Sequence, residues 1–234
     1  IHLPEEYIRD LERLKKVDPE LYNKYALGLW GKISNTIYPN WNPCDRIPLP
    51  GTAWERMPRP DYIFAGADWG YNNPSVFVLM GFDGKHIFIL DEVYKTKLTN
   101  PEFLKMCEDK CKEWNIEPID LDVWGDAAEP DRIEEFKRAG FNIMPGTREP
   151  LRRIDTVKRQ TVYYSPVCVK TIEEVKDYKW MVDKDNEVLD RPVKFNDHAM
   201  DAVGYGVVGM VELYGKAVPT DPYLIVGGGG YEDY

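Results

Sequence analysis

The sequence predicts an α/β protein whose core is a mixed β-sheet flanked by helices. Two observations support this prediction. Three apolar, strand-like runs follow one another between residues 62 and 94, and helical and strand-like segments alternate after them. Strands joined by short turns pair in antiparallel fashion, whereas parallel strands need a crossover connection such as a helix. A mixed sheet with helices on its faces satisfies both patterns.

The first 60 residues differ in character from the rest of the chain. Leu3 to Lys16 has the apolar spacing of an amphipathic helix, and Pro19 begins a second helix that ends near Gly28. Six prolines between residues 37 and 60 exclude regular structure over most of that stretch. We therefore expect residues 1–60 to form an arm of two short helices and an extended, Pro-rich linker packed on the main domain.

The main domain is expected to cover residues 61–214 and to open with three antiparallel strands. Their predicted bounds are Tyr62 to Ala67, Ser75 to Phe82 and Lys85 to Tyr94. Asp83-Gly84, between the last two, is a strong hairpin-turn signal. Alternating elements follow: a helix from Asn100 to Trp114, a strand from Leu121 to Gly125, a helix from Pro130 to Ala139 and a strand from Asn142 to Met144. This is the element order of the ribonuclease H fold.

Five further segments complete the predicted chain. They are a basic helix from Glu149 to Gln160, a strand from Tyr163 to Val169, a helix from Thr171, an added β-hairpin from Trp180 to Val193 turning at Lys184 to Asn186, and a last helix from Asn196 to about Leu213. Residues 215–234, which include four consecutive glycines, are expected to be a flexible tail.

Composition excludes several classes of protein. The net charge of -10 argues against a chain that coats nucleic acid through its overall charge, so DNA binding would need a local basic patch. The four cysteines form no CxxC pair, which predicts buried or half-buried free thiols rather than a zinc module or disulfides. The most apolar stretch, residues 199–213, carries Asp201 and Glu212, so we expect a soluble protein without a membrane partner.

Aspartates follow two strands that would be neighbours in such a sheet. Asp68 comes directly after the first strand and Asp126 directly after the Leu121 to Gly125 strand. Ligand sites in α/β sheets gather at the carboxyl ends of strands, so the two carboxylates should lie side by side. Asp197, His198 and Asp201 stand at the start of the last helix. We predict that Asp68, Asp126 and Asp201 are catalytic and bind metal, with His198 and Asp197 as further ligands. A position on the helix surface is an equally good interpretation of His198.

The chemistry of carboxylates explains this prediction. Hard oxygen ligands suit Mg²⁺ or Mn²⁺, and two such ions can activate water and stabilise the leaving oxygen in phosphodiester hydrolysis. Two other acidic pairs, Asp91 with Glu92 and Asp183 with Asp185, are interpreted as solvated. A basic stretch after the site is the candidate DNA track, although a solvated helix face is an equally good interpretation: Arg148, Arg152, Arg153, Lys158 and Arg159.

Three motifs in order carry a family resemblance. They are Gly66-Ala67-Asp68-Trp69-Gly70, then Gly125-Asp126-Ala127-Ala128-Glu129-Pro130 leading into residues 133–140, and Asn196-Asp197-His198-Ala199-Met200-Asp201-Ala202. Together they resemble the nuclease domain of the large terminase subunit of tailed bacteriophages. Residues 18–30 resemble the stretch that joins the ATPase and nuclease domains of that family, so the resemblance covers roughly residues 1 to 213.

The resemblance implies an endonuclease that cuts double-stranded viral DNA concatemers during packaging. The family's metal-binding aspartates match Asp68, Asp126 and Asp201, His198 matches a position that can approach the metal, and the Trp180 to Val193 hairpin resembles an auxiliary hairpin. Implied partners are double-stranded DNA, the ATPase domain of the same protein, the portal protein and the small terminase subunit. The implied location is the host cytoplasm, with transient binding to the procapsid.

One feature of full-length terminases is missing from the sequence. No Gly-x4-Gly-Lys-Ser/Thr phosphate loop occurs, so we expect no ATPase activity and a fragment that lacks the ATPase half. Other interpretations stay open: another ribonuclease H-like nuclease such as a junction resolvase or transposase, and a non-enzymatic interaction domain with a structural cation. Actin-like or sugar-kinase ATPases also place an Asp-x-Gly turn after the first strand, but they need two such domains and more phosphate loops.

Overall fold

The computed structural model describes residues 5–29, 35–185 and 187–217. Its helices are α1 (Glu5–Val17), α2 (Pro19–Leu27), α3 (Asn100–Glu113), α4 (Pro130–Arg138), α5 (Pro150–Lys158), α6 (Val169–Asp177) and α7 (His198–Ala217). Its strands are β1 (Asn42–Pro43), β2 (Tyr62–Asp68), β3 (Ser75–Phe82), β4 (His86–Lys95), β5 (Asp122–Gly125), β6 (Asn142–Pro145), β7 (Thr161–Tyr164), β8 (Trp180–Val182) and β9 (Val188–Pro192).

Seven of these strands form one sheet in the order β1-β7-β4-β3-β2-β5-β6. Among the described strands of this sheet, β3 alone runs against the others, because β2, β3 and β4 are joined by short turns while the rest pair in parallel. The predicted run of three antiparallel strands is therefore confirmed, as is the hairpin, whose strands β8 and β9 form a separate two-stranded sheet.

One predicted strand was wrong in its bounds. The run from Tyr163 to Val169 was expected to be extended, but β7 ends at Tyr164 and Val169 already begins α6. The last ladder bond runs from the Ser165 amide to the Ile89 carbonyl, at 2.9 Å. Pro166 has no amide to continue the ladder, and the chain turns there with a bond from the Cys168 amide to the Ser165 carbonyl.

The last helix is longer than predicted. Residues 215–217 were assigned to the flexible tail but belong to α7, whereas the rest of the predicted tail, residues 218–234, lies outside the described residues. Within the described part of the chain, no helix has the length and apolarity needed to cross a membrane. All four cysteines are buried and free, as predicted.

The core lies on both faces of the sheet because strand residues alternate between them. On one face Phe64 and Trp124 pack against residues of α5, α6 and α7, and on the other Ala65 and Val123 pack against α3 and α4. Helix α7 comes unusually close to β2. A side chain on Gly66 would meet the Ala202 carbonyl oxygen at 1.8 Å, so this position needs glycine. This close approach fixes the start of α7 beside the end of β2.

The two arm helices pack on the segment that leads into α7. Leu14 of α1 and Leu21 of α2 form a buried cluster with Val193 and Phe195. Helix α2 ends as predicted at Gly28, whose φ of 68° is the left-handed conformation that glycine adopts without strain. The arm therefore contacts the residues immediately before Asp197.

Candidate active site

Asp68 and Asp126 are brought together by the register of two parallel strands. Ala67 of β2 pairs with Gly125 of β5, so the next residue of each strand stands at the same level of the sheet. Trp69 packs on Gly125, where an added Cβ would lie 2.2 Å from the indole ring. The side-by-side placement expected for the two aspartates is thus observed. Asp68 is 8% exposed, whereas Asp126 is half-buried.

Helix α7 supplies Asp201, with Asp197 immediately before its first residue, and a buried glutamate holds its first turn. Glu174 of α6 accepts the Ala199 amide at 2.6 Å and the Met200 amide at 3.3 Å. Its other oxygen accepts the Tyr94 hydroxyl at 2.7 Å. Burial raises the pKa of Glu174 to about 8, against the lowering effect of these bonds. Glu174 therefore orients the turn that carries His198 and Asp201.

Three cationic side chains contact Asp68, Asp197 and Asp201. His198 Nδ1 lies 2.9 Å from Asp68 Oδ2. Arg153 Nη2 donates to Asp201 Oδ1 at 2.7 Å. Lys194 Nζ lies 3.1 Å from Asp201 Oδ2 and 2.8 Å from Asp197 Oδ2. Each ion pair offsets part of the cost of burying carboxylates near one another.

The pKa values of this group reflect burial and mutual repulsion. Burial raises the pKa of Asp68 to about 6, and the charges of Asp201 and Asp126 act in the same direction while His198 opposes them. Burial disfavours the charged form of His198, but Asp68, with Asp197, outweighs it and raises that pKa to about 9. Asp68 and His198 therefore form an ion pair at neutral pH, with His198 as the donor.

An open cleft of about 500 Å³ lies in front of these side chains. Its lining includes Asp68, Asp197, His198 and Asp201 together with Lys194 and, from α1, Glu6. Among the described residues, no three His, Cys, Asp or Glu side chains are gathered closely enough to hold a metal ion as they stand. The donor chemistry still fits a hard cation, because carboxylate oxygens are the ligands that Mg²⁺ and Mn²⁺ prefer. The charges of Asp201 and Asp126 also add to the burial that raises the pKa of Asp68.

The predicted DNA-track residues divide into two groups. Arg148, Arg152, Lys158 and Arg159 are exposed, and Arg148 donates to the Ala127 carbonyl at 2.5 Å, directly beside Asp126. Arg153 is different because it is 5% exposed, donates to the Thr147 carbonyl at 2.9 Å and stacks on the Tyr205 ring at 4.6 Å. Its guanidinium belongs to the aspartate group and not to an exposed basic face.

The interpretation of Asp91 and Glu92 as solvated residues was wrong. Asp91 is 5% exposed, accepts the Trp114 indole N–H at 2.8 Å and pairs with Lys110 at 3.0 Å. Glu92 accepts the Lys170 and Thr171 amides, both at 2.8 Å, and so caps α6. Both side chains are fixed by neighbouring helices that the local sequence does not reveal. Asp183 and Asp185 do lie in the hairpin turn, where Asp183 accepts the Asp185 amide at 2.9 Å.

Sequence reasoning missed Glu174, Lys194 and Glu6. Glu174 and Glu6 are acidic residues of amphipathic helices, a pattern that predicts a solvated face. Lys194 stands three residues before Asp197 and seven before Asp201. That spacing was the one available signal, and it is informative only when the following helix is known to begin at His198.

The family of the chain follows from comparison with known proteins. A family model described as the terminase RNase H-like domain matches residues 68–208, which is more than half of the chain. The chain therefore belongs to the family of terminase RNase H-like domains. It is 25% identical over 217 residues to the PBSX phage terminase large subunit of Bacillus subtilis (strain 168), covering 88% of this chain and 48% of that protein. The chain thus spans about half the length of this relative.

Solved structures agree with the predicted fold. The nuclease domain of the large terminase (g2p) of bacteriophage SPP1, solved with bound Mn, matches with a TM-score of 0.61 and 20% identity, over 74% of this chain and 98% of that one. The large terminase of the thermophilic bacteriophage D6E, in complex with ATP-gamma-S, matches with a TM-score of 0.58 and 21% identity, over 85% and 51%. The ribonuclease H-like fold and the resemblance to terminase nuclease domains are confirmed.

Proposed function

We propose that this domain is a metal-dependent endodeoxyribonuclease that cuts double-stranded viral DNA concatemers during genome packaging. The observation that carries the proposal is the placement of Asp68 and Asp126 in register at the ends of adjacent parallel strands, with Asp201 of α7 near enough for its charge to act on Asp68. Membership of the terminase RNase H-like family supports it.

The residues that would hold Mg²⁺ or Mn²⁺, with two ions during cleavage, are Asp68, Asp126 and Asp201, assisted by Asp197. His198 would join them only after losing its proton, because a metal-ligating imidazole is neutral. When bound, such ions activate water and stabilise the leaving oxygen of a phosphodiester. Two observations support a divalent ion: the negative charges of Asp201 and Asp126 close to the buried Asp68, and the Mn bound in the similar SPP1 domain.

The chain's own residues keep the carboxylates oriented. Arg153 is held between the Thr147 carbonyl and the Tyr205 ring, so it fixes one oxygen of Asp201. His198 donates to Asp68 and keeps that carboxylate ionised at neutral pH. Both interactions lower the cost of reorganising the site when substrate arrives.

DNA would reach the site along the exposed basic residues beside it. Arg148 lies next to Asp126, and Arg152, Lys158 and Arg159 continue from it along α5. Because the net charge of -10 opposes association, we propose that delivery depends on the ATPase domain of the full-length protein, the portal protein and the small terminase subunit. DNA cleavage would take place in the host cytoplasm, at the procapsid.

A plasmid digest at low salt tests the proposal. We expect cleavage with Mn²⁺ or Mg²⁺, none with EDTA, and no requirement for ATP, since the sequence carries no phosphate loop. Linear duplex and four-way junction DNA are compared in the same assay. A strong preference for the junction would indicate a resolvase, and metal binding without cleavage of either DNA would indicate a structural cation site.

A further inference from the structure

The two cations on Asp201 differ in their freedom to move. Arg153 has 6% of its side chain exposed and is fixed by three interactions. Lys194, in contrast, has 45% of its side chain exposed and lines the open cleft. Its ammonium group can therefore leave for solvent without any change in the packing of the core.

The backbone of Lys194 is held in place although its side chain is not. Arg13 of α1 donates to the Lys194 carbonyl. The two neighbours of Lys194 along the chain, Val193 and Phe195, are 2% and 6% exposed and pack between the arm helices. The arm thus holds the backbone of an exposed, positively charged side chain beside the cleft.

The carboxylates that Lys194 contacts are two of the proposed metal ligands. Its Nζ lies 2.8 Å from Asp197 Oδ2 and 3.1 Å from Asp201 Oδ2, and the two aspartates are 10% and 16% exposed. Lysine carries a positive charge at neutral pH, so Lys194 forms an ion pair with both aspartates. A lysine and a divalent ion a few ångströms apart repel each other, because both carry positive charge.

We propose that Lys194 is a positioning residue that neutralises Asp197 and Asp201 in the metal-free protein and competes with a divalent ion for them. The inference rests on the proposed function, because it takes the divalent ion as the ligand of this site. Metal binding at Asp197 and Asp201 then requires the lysine to swing away. Lys194 thereby sets the metal concentration at which the site fills.

Mn²⁺ binding to the whole chain tests this, with free Mn²⁺ measured by electron paramagnetic resonance at fixed pH and ionic strength. Lys194→Met removes the charge and should tighten Mn²⁺ binding by about tenfold or more, while Lys194→Arg keeps the charge and should bind as wild type does. The matched control is Lys170→Met, which removes another exposed lysine from a carboxylate pair, with Glu173 at 2.6 Å in α6. Thermal melts establish that each variant is folded. If Lys194→Met does not fold, Lys194→Gln is used in its place.

Two results would overturn the inference. Unchanged or weaker Mn²⁺ binding by the charge-free variants, in a chain that binds Mn²⁺ and cuts DNA, contradicts the competition while the proposed function stands. If neither the wild type nor any variant binds Mn²⁺, the proposed function fails and the inference fails with it. Tighter binding confined to the Lys194 variants that lack the charge supports the inference.

Discussion

Two acidic pairs on parallel strands of the same sheet have different surroundings. Asp68 and Asp126 lie at the ends of β2 and β5, whereas Asp91 and Glu92 lie within β4, before its last three residues. In the second pair, Asp91 accepts the indole N–H of Trp114 and pairs with Lys110. Glu92 accepts a backbone amide at the start of α6. Asp68 pairs with His198, lies near further carboxylates and faces a cleft, and Asp126 accepts the amide of Ala128. The partners of a carboxylate therefore indicate its role better than its position on a strand does.

The largest expected difference between the two pairs is in cleavage. Asp126→Asn should lower DNA cleavage at least about a thousandfold, a loss of roughly 4 kcal/mol of transition-state stabilisation, because it removes a ligand charge at nearly constant volume. Asp91→Asn should cleave at close to the wild-type rate. Rates on plasmid DNA with Mn²⁺ give both values. Wild-type cleavage by the Asp126 variant would remove that residue from the site.

For stability we expect the opposite ranking, with the Asp91 variant affected more than the Asp126 variant. Asp91→Asn should lower the free energy of unfolding by about 1–3 kcal/mol, because Lys110 loses a buried partner and keeps only Glu113. Asp126→Asn should stay within about 0.5 kcal/mol of the wild type, since an asparagine oxygen can still accept the Ala128 amide. Urea unfolding without metal measures both, and a strongly destabilised Asp126 variant would contradict the distinction.

A smaller effect is expected from the cap of α6. Glu92→Ala should cost about 1 kcal/mol, because the Lys170 and Thr171 amides lose their acceptor, and cleavage should be unchanged. Glu173→Ala, which removes an exposed carboxylate from the same helix, is the control and should cost less than half as much. Equal destabilisation of the two variants would show that Glu92 contributes as a surface charge and not as a cap.

The smallest effect concerns the basic residues beside the site. Arg152→Glu combined with Arg159→Glu should weaken DNA binding and flatten the dependence of log K on log salt by about 1 for each phosphate that the protein no longer neutralises. Arg152 also pairs with Glu212, so Glu212→Gln shows the effect of breaking that ion pair alone. Fluorescence anisotropy with duplex DNA across a salt series provides the slope. An unchanged slope would indicate that the DNA track lies elsewhere on the surface.

The sequence alone determined the order and type of the helices and of the strands other than β1, and the position of the central aspartates. Apolar runs of strand length, Asp83-Gly84 and the alternation after residue 100 were sufficient, because these signals depend on neighbours close in the chain. Placing Asp68 and Asp126 together needed only the assumption that β2 and β5 are adjacent, which the structure confirms.

Only the tertiary structure decided which charged residues share the site and which are structural. Arg153 belongs with Asp201, Glu174 holds the first turn of α7, and Lys194 bridges Asp197 and Asp201. Asp91 accepts a hydrogen bond from the indole N–H of Trp114, a residue 23 positions away. Charged side chains carry no local pattern that records such partners, since a charge in an amphipathic helix or at a strand end is equally compatible with solvent. Their roles are set by the packing of α3, α5, α6 and α7 on the sheet, which brings distant residues within a few ångströms and excludes the water that would otherwise solvate them.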